Sequence, residues 1–528
     1  MSELTAANDG ANIDWFIFFA SAFVVVAACV PLALYPEQGA VVLNDAFTYV
    51  TQELGVIYIL FSIMAISLLL YLAFSRFGDV VLGGNGVPDF STFSWAAMLF
   101  CGGIGTSVLY WGTIEWAHYY QAPPMGVESL TPEALQWAGA YPIFHWGFTG
   151  WALYCLPAVA VAYAYHVRGV ASLTLSAACE PIIGKWASRL PGRIIDITYT
   201  VGLIGACSTG IGLAVPLIAA CLGWMFDLQD TFALKVVVIC VITAVFVVSV
   251  WIGLERGIKR LSNLAVWLAF GLLVFVLVVG PTVFILESGT ATFGFMLQNF
   301  VTMSTWTDPG AGSNFVESWT VFYWAWWLAL GPFMGIFITK ISGGRTIKQV
   351  ILGSLGYGTL GTTLFFVILG GYAVHLELSG QYGVLSQLNN SAAGAVVGVI
   401  TSLPLNWIVL PIFCLVCIIF AATSYDSASY TLASSTTRAL PRDAHPARWN
   451  RVFWAVALGL LPITLIQIGG LRPLQSAVVA VSVPLLVVVS MTTLGLWKSL
   501  HDDEAQTLGE KTLGEKALAH KASADALG

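Results

Sequence analysis

Long apolar runs follow one another along almost the whole chain. They fall at 14–35, 55–77, 94–119, 139–166, 194–224, 234–253, 260–286, 317–340, 347–373, 398–435, 451–470 and 474–498. A helix needs about 20 apolar residues to cross the hydrocarbon core of a bilayer, and these runs are of that order or longer. Only 9% of the 528 residues are charged and 58% are hydrophobic, whereas a soluble domain carries about 25% charged residues. Such a chain cannot clothe a water-facing surface. In lipid the backbone must satisfy its own hydrogen bonds, which for runs of this length means helices. The expected fold class is an all-α membrane protein with twelve transmembrane helices. The longer runs tilt, or continue as helix outside the bilayer.

Basic residues fix the expected orientation. Arg76, the group Arg168, Lys185, Arg189 and Arg193, the group Arg256, Lys259 and Arg260, the group Lys340, Arg345 and Lys348, and the group Arg438, Arg442, Arg448 and Arg451 all fall in alternate loops. Loops of the other set hold only Lys235 and Arg472. Positive charge stays on the cytoplasmic side, so both termini are expected in the cytoplasm and the chain in the inner membrane. The acidic N-tail, 1–13, lacks a basic region ahead of its first apolar run, so no cleavable signal is expected. The C-tail, 499–528, repeats "TLGEK" and reads as a solvated helix. Neither tail offers a long basic arm to anionic lipid.

Enzyme chemistry finds no constellation here. There is no H-E-x-x-H and no nucleophile elbow, and the seven histidines are dispersed. Cys414 and Cys417 make a C-x-x-C, but within an apolar run this reads as helix packing rather than a redox pair. No cofactor and no nucleic-acid partner are expected.

Three stretches carry polar or aromatic groups that a plain span does not need. The third run contains "GGIGTSVLYWGTIEW", residues 102–116, with Gly103, Gly105, Thr106, Ser107 and Glu115. Small residues allow close helix packing. They also allow an unwound segment, which membrane proteins permit where backbone lines a cavity. The eighth run reads "ESWTVFYWAWWLALGPFMG", with Trp319, Phe322, Tyr323, Trp324, Trp326 and Trp327, and Gly331-Pro332 then predicts a helix break. The fourth run adds Trp146, Trp151 and Tyr154, the last two three residues apart and so on one helix face. Interface anchoring is one reading of such aromatics. Several ring faces around one cavity are another, and they would hold a quaternary ammonium by cation–π attraction. The tenth run ends in "FAATSYDSASYTLASSTT". Its hydroxyls can bond back to the preceding turn or, with freed carbonyls of the third run, form a small hard-cation site, as discontinuous transporter helices do.

The segments "WTVFYWAWW" and "PFMGIFITKISGGRTI", with "FHWGFTGWALY", "YWGTIEWAHYYQAPPMGVES" and "RGIKRLSN", resemble the betaine/choline/carnitine transporter family. The matches run from about the third run to the twelfth. The resemblance implies an amino-acid-transporter-like fold, a five-plus-five inverted repeat over 94–286 and 287–498. Two peripheral helices, 14–93, precede it. It also implies a homotrimer in membrane lipid, working by alternating access on a trimethylammonium or sulfonium substrate such as glycine betaine, choline, carnitine or γ-butyrobetaine. Position by position, Trp326 and Trp327 match the family's central aromatic site. Trp146, Trp151 and Tyr154 match its aromatic box, and Phe322 and Trp324 join the candidate substrate-binding set. Leu330 stands where a further aromatic is frequent, and Ser107 where betaine-type members have a glycine.

The resemblance also bears on coupling. Sodium-coupled members build a cation site from positions that are here Cys101, Ile104, Phe420, Thr423 and Ser424. Sodium-independent exchangers hold an arginine where this chain has Ala265. A second sodium site is replaced, with Val201 and Gly205 in place of threonines and Met334 matching a methionine of the exchangers. The expected function is secondary active import of an onium compound by sodium symport through one site, with sodium as the coupling ion. The alternatives are sodium-independent exchange of carnitine-like substrates and, in another class, a ligand-gated channel or osmosensor. Glu115 is expected to satisfy neighbouring backbone or tryptophan N–H groups.

Overall fold

A computed structural model describes residues 13–83, 86–102, 105–170, 173–252, 255–310, 312–438 and 445–525. The described chain is nearly all helix. Extended pairing among these residues is confined to two isolated bridges, Ile13 with Thr437 and Val81 with Thr346.

Ten helices are long and apolar enough to cross a bilayer: Trp15–Leu34, Gly55–Phe74, Pro132–Val167, Leu190–Phe226, Arg260–Val279, Val316–Ile341, Ile347–Leu378, Asn406–Ser435, Arg448–Ile468 and Arg472–Gln506. An eleventh is added if Thr92–Gly102 and Thr106–Gln121, bent by 59°, count as one crossing. The run expected at 234–253 lies in the helix Phe232–Ile252, whose apolar stretch Phe232–Val248 is shorter than these. Outward faces are apolar, as lipid requires: Phe23, Phe93 and Trp267 are 72%, 85% and 75% exposed. The helix that begins at Arg472 continues to Asp525, so the C-tail repeat lies in a helix as expected.

Local chemistry sets several starts. Asp14 caps the first helix by accepting from the backbone N–H groups of Phe16 and Ile17. Thr346 and Gln349 exchange side-chain and backbone bonds in a capping box that opens Ile347–Phe365; both satisfy donors that a helix start leaves free.

Besides the bent pair, the Pro132–Val167 span departs from a plain helix. It is two helices, Pro132–His145 and Phe148–Ala162, meeting at Trp146-Gly147. The carbonyls at this corner are taken by side chains of other helices. Trp327 Nε1 donates to the His145 carbonyl over 2.9 Å, and Thr362 Oγ1 to the Trp146 carbonyl over 2.8 Å. Irregular backbone survives at membrane depth because its polar groups are paired this way. The expected break at Gly331-Pro332 is absent, since Phe322–Ile341 runs straight through Pro332. Close packing explains the difference. A Cβ on Gly331 would lie 2.9 Å from the Leu153 carbonyl, and one on Gly335 3.0 Å from Ala158 N. The glycines let this helix press against Phe148–Ala162, so they serve contact rather than a break.

Candidate functional site

A cavity of about 570 Å³ opens between the bent pair, the Phe148–Ala162 and Leu190–Phe226 helices, Phe322–Ile341 and Asn406–Ser435. The bend brings Thr106 to the last of these, where its hydroxyl donates to the Cys417 carbonyl over 3.1 Å.

Aromatic rings form one end of the cavity. Trp146, Tyr154, Trp326 and Trp327 all line it, as do Ser107 and Leu330. Trp146 stands at 90° to Trp327, with ring centres 5.0 Å apart, and Tyr154 stands at 80° to Trp327 at 4.8 Å. Trp326 lies at 24° to Trp327 at 6.4 Å. Such edge-to-face contacts are the favoured geometry of rings, and all four rings border one volume. Trp326 is fixed by its Nε1, which donates to the Ala206 carbonyl over 3.1 Å. The other end is polar and is lined by Ser262, Lys340, Asp426, Ser427, Tyr430 and Thr431.

Three of the expected aromatic residues lie outside the lining. Trp151 packs beside Tyr154 at 5.7 Å and fills the space over Gly358, where a Cβ would sit 2.2 Å from its ring. Trp324 faces Phe144, at 5.5 Å between centres. Phe322 stacks behind Trp326 at 5.6 Å.

The candidate cation residues are partly gathered. Cys101, Thr423, Ser424 and Met334 line the same cavity, whereas Ile104 lies outside the described residues. The Phe420 carbonyl accepts from Thr423 Oγ1 at 3.1 Å and from Ser424 Oγ at 2.9 Å. The three oxygens are thus adjacent, and in this conformation the hydroxyls bond back to their own helix. Ala265 is fully buried. At Gly205 a Cβ would lie 2.8 Å from Val481 Cγ2, so Val481 occupies the room that a larger residue would need.

Glu115 has a defined set of partners. It is fully buried and accepts from Tyr119 Oη at 2.6 Å, Tyr323 Oη at 2.7 Å and Trp146 Nε1 at 3.0 Å. The sequence reading named the tryptophan N–H but missed both tyrosines and His145, whose Nδ1 lies 3.0 Å from Tyr119 Oη. The spacing of Glu115 and Tyr119, one helical turn, was the available signal.

The family described as BCCT, betaine/carnitine/choline family transporter, matches residues 16–505. The chain is 36% identical over 445 residues to an uncharacterized transporter, YeaV, of Escherichia coli K12, covering 84% of this chain and 92% of that one. It is 32% identical over 506 residues to a carnitine transporter of Acinetobacter baumannii, covering 96% of this chain and 92% of the relative.

Proposed function

The chain belongs to the betaine/carnitine/choline transporter family, and from that premise we propose that it imports a small quaternary ammonium or sulfonium compound by sodium symport. The observation that carries the reading is the cavity wall of Trp146, Tyr154, Trp326 and Trp327. A trimethylammonium head has no hydrogen-bond donor, so a site for it must offer ring faces instead. Carnitine stands first among the candidates because a relative matched over 96% of this chain is a carnitine transporter. Glycine betaine, choline and γ-butyrobetaine follow.

The architecture we propose is twelve spans in two inverted repeats, 94–286 and 287–498, after two peripheral helices. Three chains assemble in the inner membrane with both termini in the cytoplasm. The cavity extends from the ring wall toward Lys340 and Tyr430, on the side of the arginine-rich loops. By the positive-inside rule that side is cytoplasmic, so the conformation is the inward-open one. On the opposite side Trp111, Tyr119 and Trp319 pile edge to face, with centres 5.7 Å apart for Trp111 and Trp319 and 4.9 Å for Tyr119 and Trp319, and close the outer path.

Coupling runs through one sodium site at Thr423, Ser424 and the Phe420 carbonyl, with Cys101 contributing from Thr92–Gly102 and Ile104 included by the family resemblance alone. Rotation of the two hydroxyls off the Phe420 carbonyl presents three oxygens together. The second site is replaced, since Val481 crowds Gly205 and Met334 is a poor ligand for a hard cation. One observation favours the exchanger reading instead: both hydroxyls donate to the Phe420 carbonyl of their own helix, as helical Ser and Thr do in a purely structural role.

Uptake of labelled carnitine, glycine betaine, choline and dimethylsulfoniopropionate into proteoliposomes, with and without a sodium gradient, tests the proposal. Sodium-driven accumulation of at least one supports symport. Counterflow without sodium dependence replaces it by exchange, and no uptake of any of the four removes the onium reading.

A further inference from the structure

Glu115 sits directly behind the ring wall and does not itself line the cavity. Its Oε2 holds the Trp146 N–H at 3.0 Å, and the ring that carries this N–H is a wall of the cavity. Three donors converge on its two oxygens, from Tyr119, Tyr323 and Trp146. An ionised carboxylate, which only accepts, uses such donors fully. Among the described residues the basic side chain that comes near it is His145, with Nδ1 3.7 Å from Oε1. The Tyr119 hydroxyl contacts both groups, and His145 Nε2 is engaged with Thr320 Oγ1 at 3.1 Å. An acidic side chain at membrane depth without a lysine or arginine partner calls for a counter-charge.

We propose that Glu115 is the specificity-determining counter-charge of the ring wall, acting on a bound onium through the indole of Trp146. An N–H that donates to a carboxylate pushes electron density into its ring, and cation–π attraction grows with the negative charge on the ring face. An onium against Trp146 favours the charge on Glu115, and that charge favours the onium. A neutral head group of the same shape gains nothing from it. Tyr119 and Tyr323 hold the carboxylate in place, and Tyr323 also meets the Trp146 ring edge to face at 5.9 Å. This rests on the onium reading above, and it goes further by assigning the discrimination between cationic and neutral heads to one buried side chain.

The test pairs each onium with its carbon isostere: carnitine with 3-hydroxy-5,5-dimethylhexanoate, and glycine betaine with 3,3-dimethylbutanoate. Binding to the purified full-length protein is read by quenching of tryptophan fluorescence, and the quantity of interest is the affinity ratio within a pair. Failure of the wild type to bind any onium sinks the functional reading, not this assignment. Where the wild type binds one, Glu115→Gln keeps the size and an acceptor while removing the charge. The ratio should fall about tenfold, the scale of a desolvated cation–π contact, with the isostere nearly unchanged. Equal loss for both members would make Glu115 merely structural and overturn the proposal. A second measurement covers a poorly folded Gln variant. Tyr323→Phe removes one donor and leaves the charge, so the ratio should hold even where both affinities drop. A ratio that collapses in Tyr323→Phe as well overturns the charge assignment. The cycle of Glu115→Gln with Trp146→Phe closes the test. Non-additive losses place the effect in the shared N–H, and additive losses exclude it.

Discussion

Trp327 ties its indole N–H to the carbonyl of His145 over 2.9 Å, 182 residues back along the chain. One side chain therefore does two things. Its ring is a wall of the cavity, and its N–H satisfies the corner where the Pro132–Val167 span changes direction. Any variant of Trp327 tests both, and they separate by readout.

Trp327→Leu removes ring and N–H together. Loss of a cation–π wall worth about 0.5–2 kcal/mol weakens onium binding several-fold to tens of fold. The orphaned carbonyl costs about 1–3 kcal/mol more in stability. Trp327→Phe keeps a ring and removes only the N–H. It should retain much of the affinity but melt as low as the Leu variant. Titration by fluorescence quenching and thermal unfolding in detergent check the two; unchanged affinity in a folded Trp327→Leu protein removes this residue from the site.

Trp151 and Gly358 make the complementary case, a tryptophan outside the cavity lining. A Cβ at position 358 would sit 2.2 Å from the Trp151 ring, and no rotamer change of a fully enclosed indole relieves that. Gly358→Ala should cost about 1–3 kcal/mol through overpacking. Its effect on onium affinity should be smaller than that of Trp327→Leu, since it reaches the site indirectly, through Trp151 and the lining residues Tyr154 and Gly102 beside it. A variant as stable as the wild type would show that the two helices are not packed at this distance.

The helices were legible because lipid forces them: twenty apolar residues with satisfied backbone have few alternatives. The bend near Gly102–Thr106 was legible too, from glycines beside hydroxyls. The corner at Trp146-Gly147 was not. Nothing local in "FHWGFTG" announces that Trp327 and Thr362, far along the chain, take its carbonyls. Within the aromatic run, helix phase sorts the residues. Trp324 is two before Trp326, so it points to the opposite side, while Phe322 is one turn behind and stacks on it. The sequence offered all of these rings as candidates because type and density do not reveal phase against neighbours. The same limit hid Tyr323, which reaches Glu115 from another helix, whereas Tyr119 lies one turn from it on its own helix.

The N-terminal end offers a prediction about stability. Asp14 Oδ2 meets Arg438 Nε at 3.0 Å and Arg193 Nε at 3.4 Å, and the Asp14 N–H donates to the Thr436 carbonyl at 2.9 Å. This clasps the first helix to the end of Asn406–Ser435. Burial pushes the Asp14 carboxyl upward, but the Arg438 hydrogen bond, the Ile17 N–H and the charge of Arg193 outweigh it and hold it below the usual carboxylate value. A lowered carboxyl stabilises the fold above its ordinary range, and the contribution is lost as pH falls through the lowered value. Both arginines are partly exposed, so Asp14→Asn should cost only about 0.5–1 kcal/mol at neutral pH. Asp14→Ala, which also loses the cap, should cost about 1 kcal/mol more. The gap between wild type and Asp14→Asn should close as the melt is repeated at falling pH; a gap that widens toward acid would contradict the ion pair.

Coupling gives the last prediction. Thr423 and Ser424 bond to one carbonyl, that of Phe420, at 3.1 and 2.9 Å. At the proposed site a sodium ion would meet oxygens whose O–H groups already donate within the helix but whose lone pairs are open, so its binding would re-aim two hydroxyls rather than create new ligands. That favours a modest affinity and a clear dependence on sodium concentration. Thr423→Ala with Ser424→Ala leaves the Phe420 carbonyl in its helix, so stability should change by less than about 1 kcal/mol per hydroxyl. Sodium dependence of substrate binding should flatten, and affinity in potassium buffer should stay where the wild type has it. By linkage the substrate must tighten sodium binding by the factor by which sodium tightens the substrate, and both factors should vanish together in the double variant. Ala265→Arg approaches from the opposite side. Ala265 is fully enclosed, so an arginine fits only by reaching into polar space, and a guanidinium delivered to the oxygens would replace the mobile ion. Binding would then be strong without sodium and indifferent to it. If wild-type affinity and uptake are equal in sodium and potassium, the ion site carries no coupling, the hydroxyls are helix caps to their own carbonyl, and exchange is the mode of transport.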